Sequence, residues 1–298
     1  MHVIAHGGAG GAVEEPERRQ ATLDEATAAG AAAATSVGAV VATVRALESS
    51  PRFNAGVGGA IQSDGVVRTD AGIMTDDRRI GAACSMPGVE RACEVARVVL
   101  EETPHVCVSG VHAADLAAAF GIETGVDLRS EDTRERWADL DPSPPARDDP
   151  RGQLDWLTGE FGGSAATGDD AHPEDYDTVG AVATDGETLA TCTSTGGRWA
   201  ALAGRVGDVP QVGSGFFATH AGGASATGAG EDIVRVTLAR RAVDHLELGR
   251  NAETAAELAV EEFEEITGSE AGVVVMDRDG DAGSAFNSAG MQTSVAGE

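Results

Sequence analysis

No lysine occurs among the 298 residues, and all 21 basic side chains are arginine. That absence excludes a Schiff-base lysine and the lysine of a P-loop nucleotide site. Aromatic residues make up only 4% of the chain, so alanine, valine, leucine and glycine must fill its core. Basic charge is scarce against acidic: 49 Asp and Glu give a formal net charge of −28. Such a surface repels nucleic acid and anionic membranes. It fits a halophilic protein, because self-repulsion is screened in concentrated salt. No apolar run reaches the ~20 residues of a membrane span, and Met1 to His6 has neither the charged start nor the long apolar stretch of a signal peptide. A soluble cytoplasmic protein is expected. Cys84, Cys93, Cys107 and Cys192 form no CxxC pair and lie in apolar contexts, so buried free thiols are expected. The seven histidines show no metal-ligand spacing, and no Gly-x-Ser-x-Gly elbow accompanies them.

What is present is a series of paired strand-like runs with helices between. Val3 to His6 reads as a short buried strand ending in the glycine cluster Gly7 to Gly11. That cluster precedes a helix from about Pro16, but its spacing matches no dinucleotide or phosphate-loop fingerprint. A second helix runs from Ser36, a plausible cap, to Ser49, with Val37, Val40, Val41, Val44 and Leu47 on one face. Hairpins are expected around Asp64-Gly65 and Asp185-Gly186, and a last one joins Gly272–Met276 to Ala282–Phe286. Helices are expected over Gly88–Glu102, His112–Phe120, Ser130–Leu140, Ala229–Leu248 and Ala252–Thr267, and a strand over Gln211–Ala218. Residues from about 141 to 177, rich in Pro, Asp and Gly, read as a mobile linker. Paired strands with tight turns favour antiparallel sheets in an α+β layered fold.

Thr178 stands where that linker meets a buried-type strand. A threonine hydroxyl needs a base nearby to act as a nucleophile. As the first residue of a chain its own amine would serve, since a free α-amine titrates at about 7.7–8.0. A cut between Asp177 and Thr178 would create it: Thr178 Oγ attacks the Asp177 carbonyl, and water releases the ester. By residue type alone, an ordinary threonine at the start of a strand is the simpler reading.

Several short stretches, in this order, change that balance. They are His6-Gly7-Gly8-Ala9-Gly10, Phe53-Asn54-Ala55-Gly56, Asp70-Ala71-Gly72-Ile73-Met74, Thr178 to Ala183, Thr193-Ser194-Thr195-Gly196-Gly197, Gly204-Arg205-Val206-Gly207-Asp208, Thr227 to Glu231, and Phe286 to Met291. Together they resemble the plant-type asparaginase/isoaspartyl peptidase family of N-terminal-nucleophile hydrolases over nearly the whole chain. The resemblance implies a single domain, an αββα four-layer sandwich of two antiparallel sheets. It implies self-cleavage into residues 1–177 and 178–298, with Thr178 the nucleophile and Thr195 hydrogen-bonding near it. Arg205 would hold the substrate α-carboxylate, Asp208 its α-ammonium, and Thr227 with the Gly228 N–H would form the oxyanion hole. Asn54 would order the site from the other segment. No catalytic cofactor is implied. A structural sodium would sit among the carbonyls of Leu47, Glu48, Ser50, Phe53, Ala55 and Val57. The substrate would be asparagine or a β-aspartyl dipeptide, and the assembly a homodimer of cleaved protomers.

An Arg and an Asp three residues apart, flanked by glycines, also suit the two ends of a free amino acid by charge; a surface ion pair is the other reading. The chain departs from the pattern at Asp177, where Gly is usual, at Val209 for Ser, at Thr69 for an acid, and at Thr75-Asp76 for Asp-Gly. Asp177 resembles the glycosylasparaginases and the threonine endopeptidase branch instead. A glycosylasparaginase and an uncleaved amino-acid-binding homologue are therefore the alternatives.

Overall fold

The computed structural model describes residues 1–12, 15–141, 143–161 and 178–297. Among them, eleven strands form two sheets. The first half supplies β1 (His2–Gly10), α1 (Pro16–Ala31), α2 (Ser36–Glu48), β2 (Arg68–Thr75), β3 (Ile80–Pro87), α3 (Ala92–Glu102), β4 (Cys107–Ser109), α4 (Gly110–Ala119), α5 (Glu131–Ala138) and α6 (Pro150–Phe161). The second half supplies β5 (Val179–Thr184), β6 (Leu189–Thr195), β7 (Phe216–Thr219), β8 (Gly222–Gly228), α7 (Gly230–Val236), α8 (Leu238–Glu247), α9 (Ala252–Thr267), β9 (Ala271–Asp277), β10 (Ala282–Phe286) and β11 (Gly290–Ala296). The large sheet runs β11-β1-β5-β6-β2-β3-β4 and the small one β10-β9-β8-β7. All pairs are antiparallel except β3 with β4, which is parallel.

Period two along the strands builds the layers. Val179, Ala181 and Ala183 pack with Val40, Val44 and Leu47 of α2, while Val182 faces Ala224 and Phe216 of the small sheet. Val3 and Ala5 divide from Ile4 in the same way. Helices α1 to α3 cover the outer face of the large sheet, and α8 and α9 that of the small one. Two interior layers of strands between two layers of helices give the expected αββα sandwich.

Several local expectations need correction. The glycine cluster is not a loop: β1 continues to Gly10, because β11 pairs as far as Ala9 and Gly10 after a register shift beyond His6. The cap of α2 is Thr35, whose hydroxyl accepts the Gly38 N–H, rather than Ser36. The hairpin at Asp64-Gly65 reduces to one bridge, Ile61 to Val67. The strand expected from Gln211 begins only at Phe216. The long helix from Ala229 breaks at Thr237, which adopts a left-handed φ of 55°. Cys107 is exposed, whereas the other three cysteines are buried and all four are free. Part of the expected linker is ordered: α6 buries Gln153 and Trp156, and Ser63 Oγ donates to Gln153 Oε1 at 3.0 Å. The amphipathic spacing of Gln153 and Trp156 outweighs the proline-rich context. Residues 162–177, including Asp177, lie outside the described residues.

Candidate active site

Thr178 directly precedes β5 and is 6% exposed. Val179 pairs with Ser194, and Ser194 with Ala71. One position along, Thr195 pairs with Asp70. Continuing that register sets Thr178 beside Thr195, with Asp70 on the far side, and alternation turns all three side chains toward the small sheet. Thr195 Oγ1 accepts the Gly197 N–H at 3.1 Å and reaches the Asn54 carbonyl at 3.5 Å. Asn54 itself spans two segments. Its amide donates to the Gly197 carbonyl at 2.6 Å, and its Oδ1 accepts the Ala60 N–H at 2.9 Å. The Thr193-to-Gly197 turn is thus clamped by a residue some 140 positions upstream.

Beneath these residues a buried polar chain crosses between the sheets. Thr193 Oγ1 donates to the Gly215 carbonyl at 3.0 Å. Ser225 Oγ lies 2.6 Å from Thr193 Oγ1, and His6 Nε2 lies 2.8 Å from Ser225 Oγ. The other nitrogen of the imidazole, Nδ1, is buried without a hydrogen-bond partner among the described residues. Burial drives its pKa down to about 3, with the nearby Thr178 backbone pulling weakly the other way. His6 pairs with Gly180, where a Cβ would land on Ser225 Oγ. The glycine after Thr178-Val179 is required by this crossing.

Thr227 reaches the same place from β8. Its Oγ1 accepts the Ala9 N–H at 3.2 Å, which ties the small sheet to β1. Gly228 ends β8 at φ 132°, and a Cβ there would meet the Glu270 carbonyl at 2.5 Å. Arg205 and Asp208 lie on the loop between β6 and β7. Gln62 fastens that loop: its Oε1 accepts the Gly204 N–H at 2.9 Å and its amide donates to the Arg205 carbonyl at 3.3 Å. Arg205 does not stand open on every side. Its Nε and Nη2 donate to the two oxygens of Glu231 at 2.8 and 2.7 Å. The guanidinium keeps its Nη1/Nη2 end for another carboxylate. Asp208 is buried, and burial lifts its pKa to about 6 against the pull of Arg205. Its Oδ2 has no hydrogen-bond partner among the described residues. Asp70 is likewise pushed up to about 7 by burial, with the Ser85 N–H at 2.6 Å and the charge of Arg205 opposing.

The proposed cation loop follows α2. The Leu47 carbonyl accepts the Ser50 N–H at 3.1 Å, that of Glu48 accepts Val57 N–H at 2.9 Å, and that of Ser50 accepts Phe53 N–H at 3.3 Å. Gly56 and Gly58 have φ of 58° and 90°, and these turns fold the loop back onto the helix end. Carbonyls at a helix C-terminus suit a cation, and each retains a second lone pair. The donor set fits sodium. The Glu48 side chain points inward instead. It accepts from Ser194 Oγ at 2.6 Å and Cys93 N–H at 2.9 Å, and burial raises its pKa to about 7.

Thr178, Thr195, Asn54, Thr227, Arg205 and Asp208 thus border one region between the sheets, built from both halves of the chain. The Asparaginase family model matches residues 1–298. This chain belongs to the asparaginase family. It is 36% identical to a plant-type L-asparaginase of Pyrococcus abyssi over 96% of this chain and 92% of that one. It is 38% identical to a plant-type L-asparaginase of Pyrobaculum calidifontis over 97% and 94%. It is 34% identical to an isoaspartyl peptidase/L-asparaginase of Danio rerio over 99% and 91%. As an asparaginase-family hydrolase it places further residues around the site that pattern reading left out: Asp70, Gln62, Glu231, and the trio His6, Thr193 and Ser225. Asp70, His6, Thr193 and Glu231 stood inside the quoted motifs, which was the available signal. Gln62 and Ser225 carried none, because only folding brings them near.

Proposed function

We propose that the chain cuts itself between Asp177 and Thr178 and then hydrolyses L-asparagine and β-aspartyl dipeptides. The observation that carries this reading is the position of Thr178, buried at the head of a central strand beside Thr195, with Arg205 and Asp208 on the facing loop. In the first step Thr178 Oγ attacks the Asp177 carbonyl carbon, the peptide C–N bond breaks, and the nitrogen leaves as the Thr178 amine. Water hydrolyses the resulting ester, giving the Asp177 carboxylate and a free hydroxyl.

In turnover the freed amine accepts the hydroxyl proton, matched to its task by a pKa near neutral. Oγ attacks the substrate side-chain carbonyl. The oxyanion takes hydrogen bonds from the Thr227 hydroxyl and the Gly228 N–H, donors worth roughly 3–4 kcal/mol of barrier apiece in other hydrolases. Collapse breaks the C–N bond, and the proton passes to the leaving nitrogen. Water then releases aspartate from Thr178. Arg205 offers its open guanidinium end to the α-carboxylate, and the unpartnered Asp208 oxygen suits the α-ammonium. A buried pair of opposite charges selects a substrate that brings both. Sodium on the carbonyls of Leu47, Glu48, Ser50, Phe53, Ala55 and Val57 would stiffen the loop carrying Asn54. The relatives' names include plant-type L-asparaginase and isoaspartyl peptidase/L-asparaginase, which supports both substrate types. Function in concentrated salt and assembly as a homodimer of cleaved protomers belong to the same reading; sedimentation velocity reads the dimer.

Intact mass after incubation in concentrated salt tests the reading. Two fragments meeting at Asp177/Thr178 in wild type, and one uncut chain for Thr178→Ala, are expected together with asparagine turnover by wild type only. A wild-type chain that stays whole would overturn it.

A further inference from the structure

One row of polar side chains crosses neighbouring strands of the large sheet. From Thr178 it passes through Thr195 of β6 and Asp70 of β2, and it continues into β3. Thr69 pairs with Met86 and Ala71 with Ala83, so Asp70 alone faces Cys84 and Ser85. Two residues opposite one make a β-bulge, a device that re-aims side chains beside a site. Ser85 has a left-handed φ of 55°, and its N–H donates to Asp70 Oδ1 at 2.6 Å. On the next strand Cys107 pairs with Ala82. Positions two apart share a face, so Cys107 stands on the same face as Cys84, one diagonal step away. Both thiols reach the Val108 carbonyl, at 3.7 Å from Cys107 and 3.8 Å from Cys84. The row that begins at the candidate nucleophile thus ends in a pair of thiols at the sheet edge.

The two thiols differ in exposure and reactivity. Cys107 is exposed and Cys84 is buried. The neighbouring Cys84 thiol draws the pKa of Cys107 down to about 7, against partial desolvation and the charge of Asp70. Cys107 in turn pushes that of Cys84 up, with burial and Asp70 adding to the rise. An accessible thiol that ionises near neutrality is the attacking partner, and its protonated neighbour resolves the mixed disulfide. Cys93 and Cys192 are buried, and burial holds both thiols well above their ordinary range.

We propose that Cys107 and Cys84 form an oxidation site, which a small-molecule disulfide closes into an intramolecular disulfide, and that closure shifts Asp70 in the substrate cleft. The Cys107 thiolate attacks one sulfur of the oxidant, whose S–S bond breaks and releases a thiolate. Cys84 gives its proton to that thiolate and attacks Cys107 Sγ, expelling the second thiolate, which takes up the proton Cys107 lost. The protein gives up two electrons and two protons, and the oxidant becomes two thiols. Two residues along and one strand across separate Cα atoms by roughly 8 Å, whereas a disulfide spans about 7 Å at most without backbone movement. Closure therefore draws β3 and β4 together. β4 is a three-residue strand at the sheet edge and yields, as does the bulge after Cys84. Ser85 follows Cys84 directly, so movement there loosens its N–H from Asp70, which lies in the field of Arg205 and Asp208. The effect on substrate rests on the amidohydrolase reading above; formation of the bond does not.

The test treats the purified protein with oxidised glutathione and then with dithiothreitol. Wild type is expected to lose the mass of two hydrogens, and digestion without reduction should yield peptides joined through Cys84 and Cys107. Cys107→Ser should keep its mass, and Cys84→Ser should hold one glutathione on Cys107. Oxidation of wild type is expected to raise KM for asparagine about fivefold, the lower end of common coupling between sites. Dithiothreitol should restore it, and neither reagent should move KM in Cys107→Ser. An unmodified wild type, or a glutathione on Cys107 that Cys84 never displaces, would overturn the site. A joined pair with unchanged KM would overturn its connection to Asp70. Absence of asparagine turnover in reduced wild type would overturn the amidohydrolase reading, while the mass would still decide the disulfide.

Discussion

Glu231 holds Arg205 by two parallel bonds, at 2.8 and 2.7 Å, from the first turn of α7. The carboxylate orients the guanidinium edge-on, so that its other end faces the Asp208 side of the cleft. Arg205 is the more enclosed partner, its side chain 17% exposed against 44% for Glu231, so the carboxylate at the rim aims a binding arginine that points inward.

Removing the aim should cost binding before chemistry. Glu231→Gln is expected to raise KM for asparagine about tenfold with a smaller change in kcat. Arg205→Ala should lower kcat/KM about 30-fold or more, the scale for truncating one member of a buried charge pair. Steady-state kinetics of cut enzyme would check both. An unchanged KM in Glu231→Gln would remove the positioning role.

Glu48 makes stability depend on pH with a definite sign. Its carboxyl is raised from an ordinary value near 4.5 to about 7 in the fold. The folded chain therefore holds a proton that the unfolded chain loses between those values. Stability from this group is complete below about pH 4.5 and is lost as pH climbs through 7. At about 1.4 kcal/mol per pKa unit, the loss is roughly 3 kcal/mol across the window. Asp70 and Asp208 act in the same direction. His6 acts in the opposite one, since its pKa is lowered and its contribution is lost as pH falls from 6.5 toward 3. In urea titrations, Glu48→Gln should lose less stability than wild type between pH 5 and 7.5. Parallel curves would show that the carboxyl stays ionised.

Salt should stabilise the chain in two separable ways. Screening of a net −28 acts with any salt, because the Debye length shrinks to about 3 Å at 1 M. Tm is expected to rise by several degrees from dilute buffer to 1 M KCl. The carbonyl loop after α2 would add a further rise that is specific to sodium over choline at equal ionic strength. A Tm indifferent to KCl would argue against a salt-adapted surface, and equal sodium and choline curves against the cation loop.

The layered fold was legible because the strand-like runs come in pairs joined by tight turns, as β5 and β6 do around Asp185-Gly186. Motif order was equally legible, since glycine-flanked Arg205 and Asp208 and the run from Thr193 to Gly197 sit at fixed places in the chain. The glycine cluster at Gly7 to Gly11 was not, because continuation of β1 depends on its partner β11, where Gly10 pairs with Gly290 near the other end of the chain. Nor was α6, whose Trp156 and Gln153 find burial only against a distant loop.

By itself the sequence determined the pairing of neighbouring strands across tight turns, the absence of lysine chemistry, the acidic surface and the candidate nucleophile at Thr178. Those are local or compositional properties, set by residue type and spacing. Tertiary structure alone decided that Glu231 would grip Arg205 and that His6, Ser225 and Thr193 would meet in one buried chain between the sheets. Such contacts join residues 26 to more than 200 positions apart, and the chain meets them only after two sheets have closed on each other and excluded water between them.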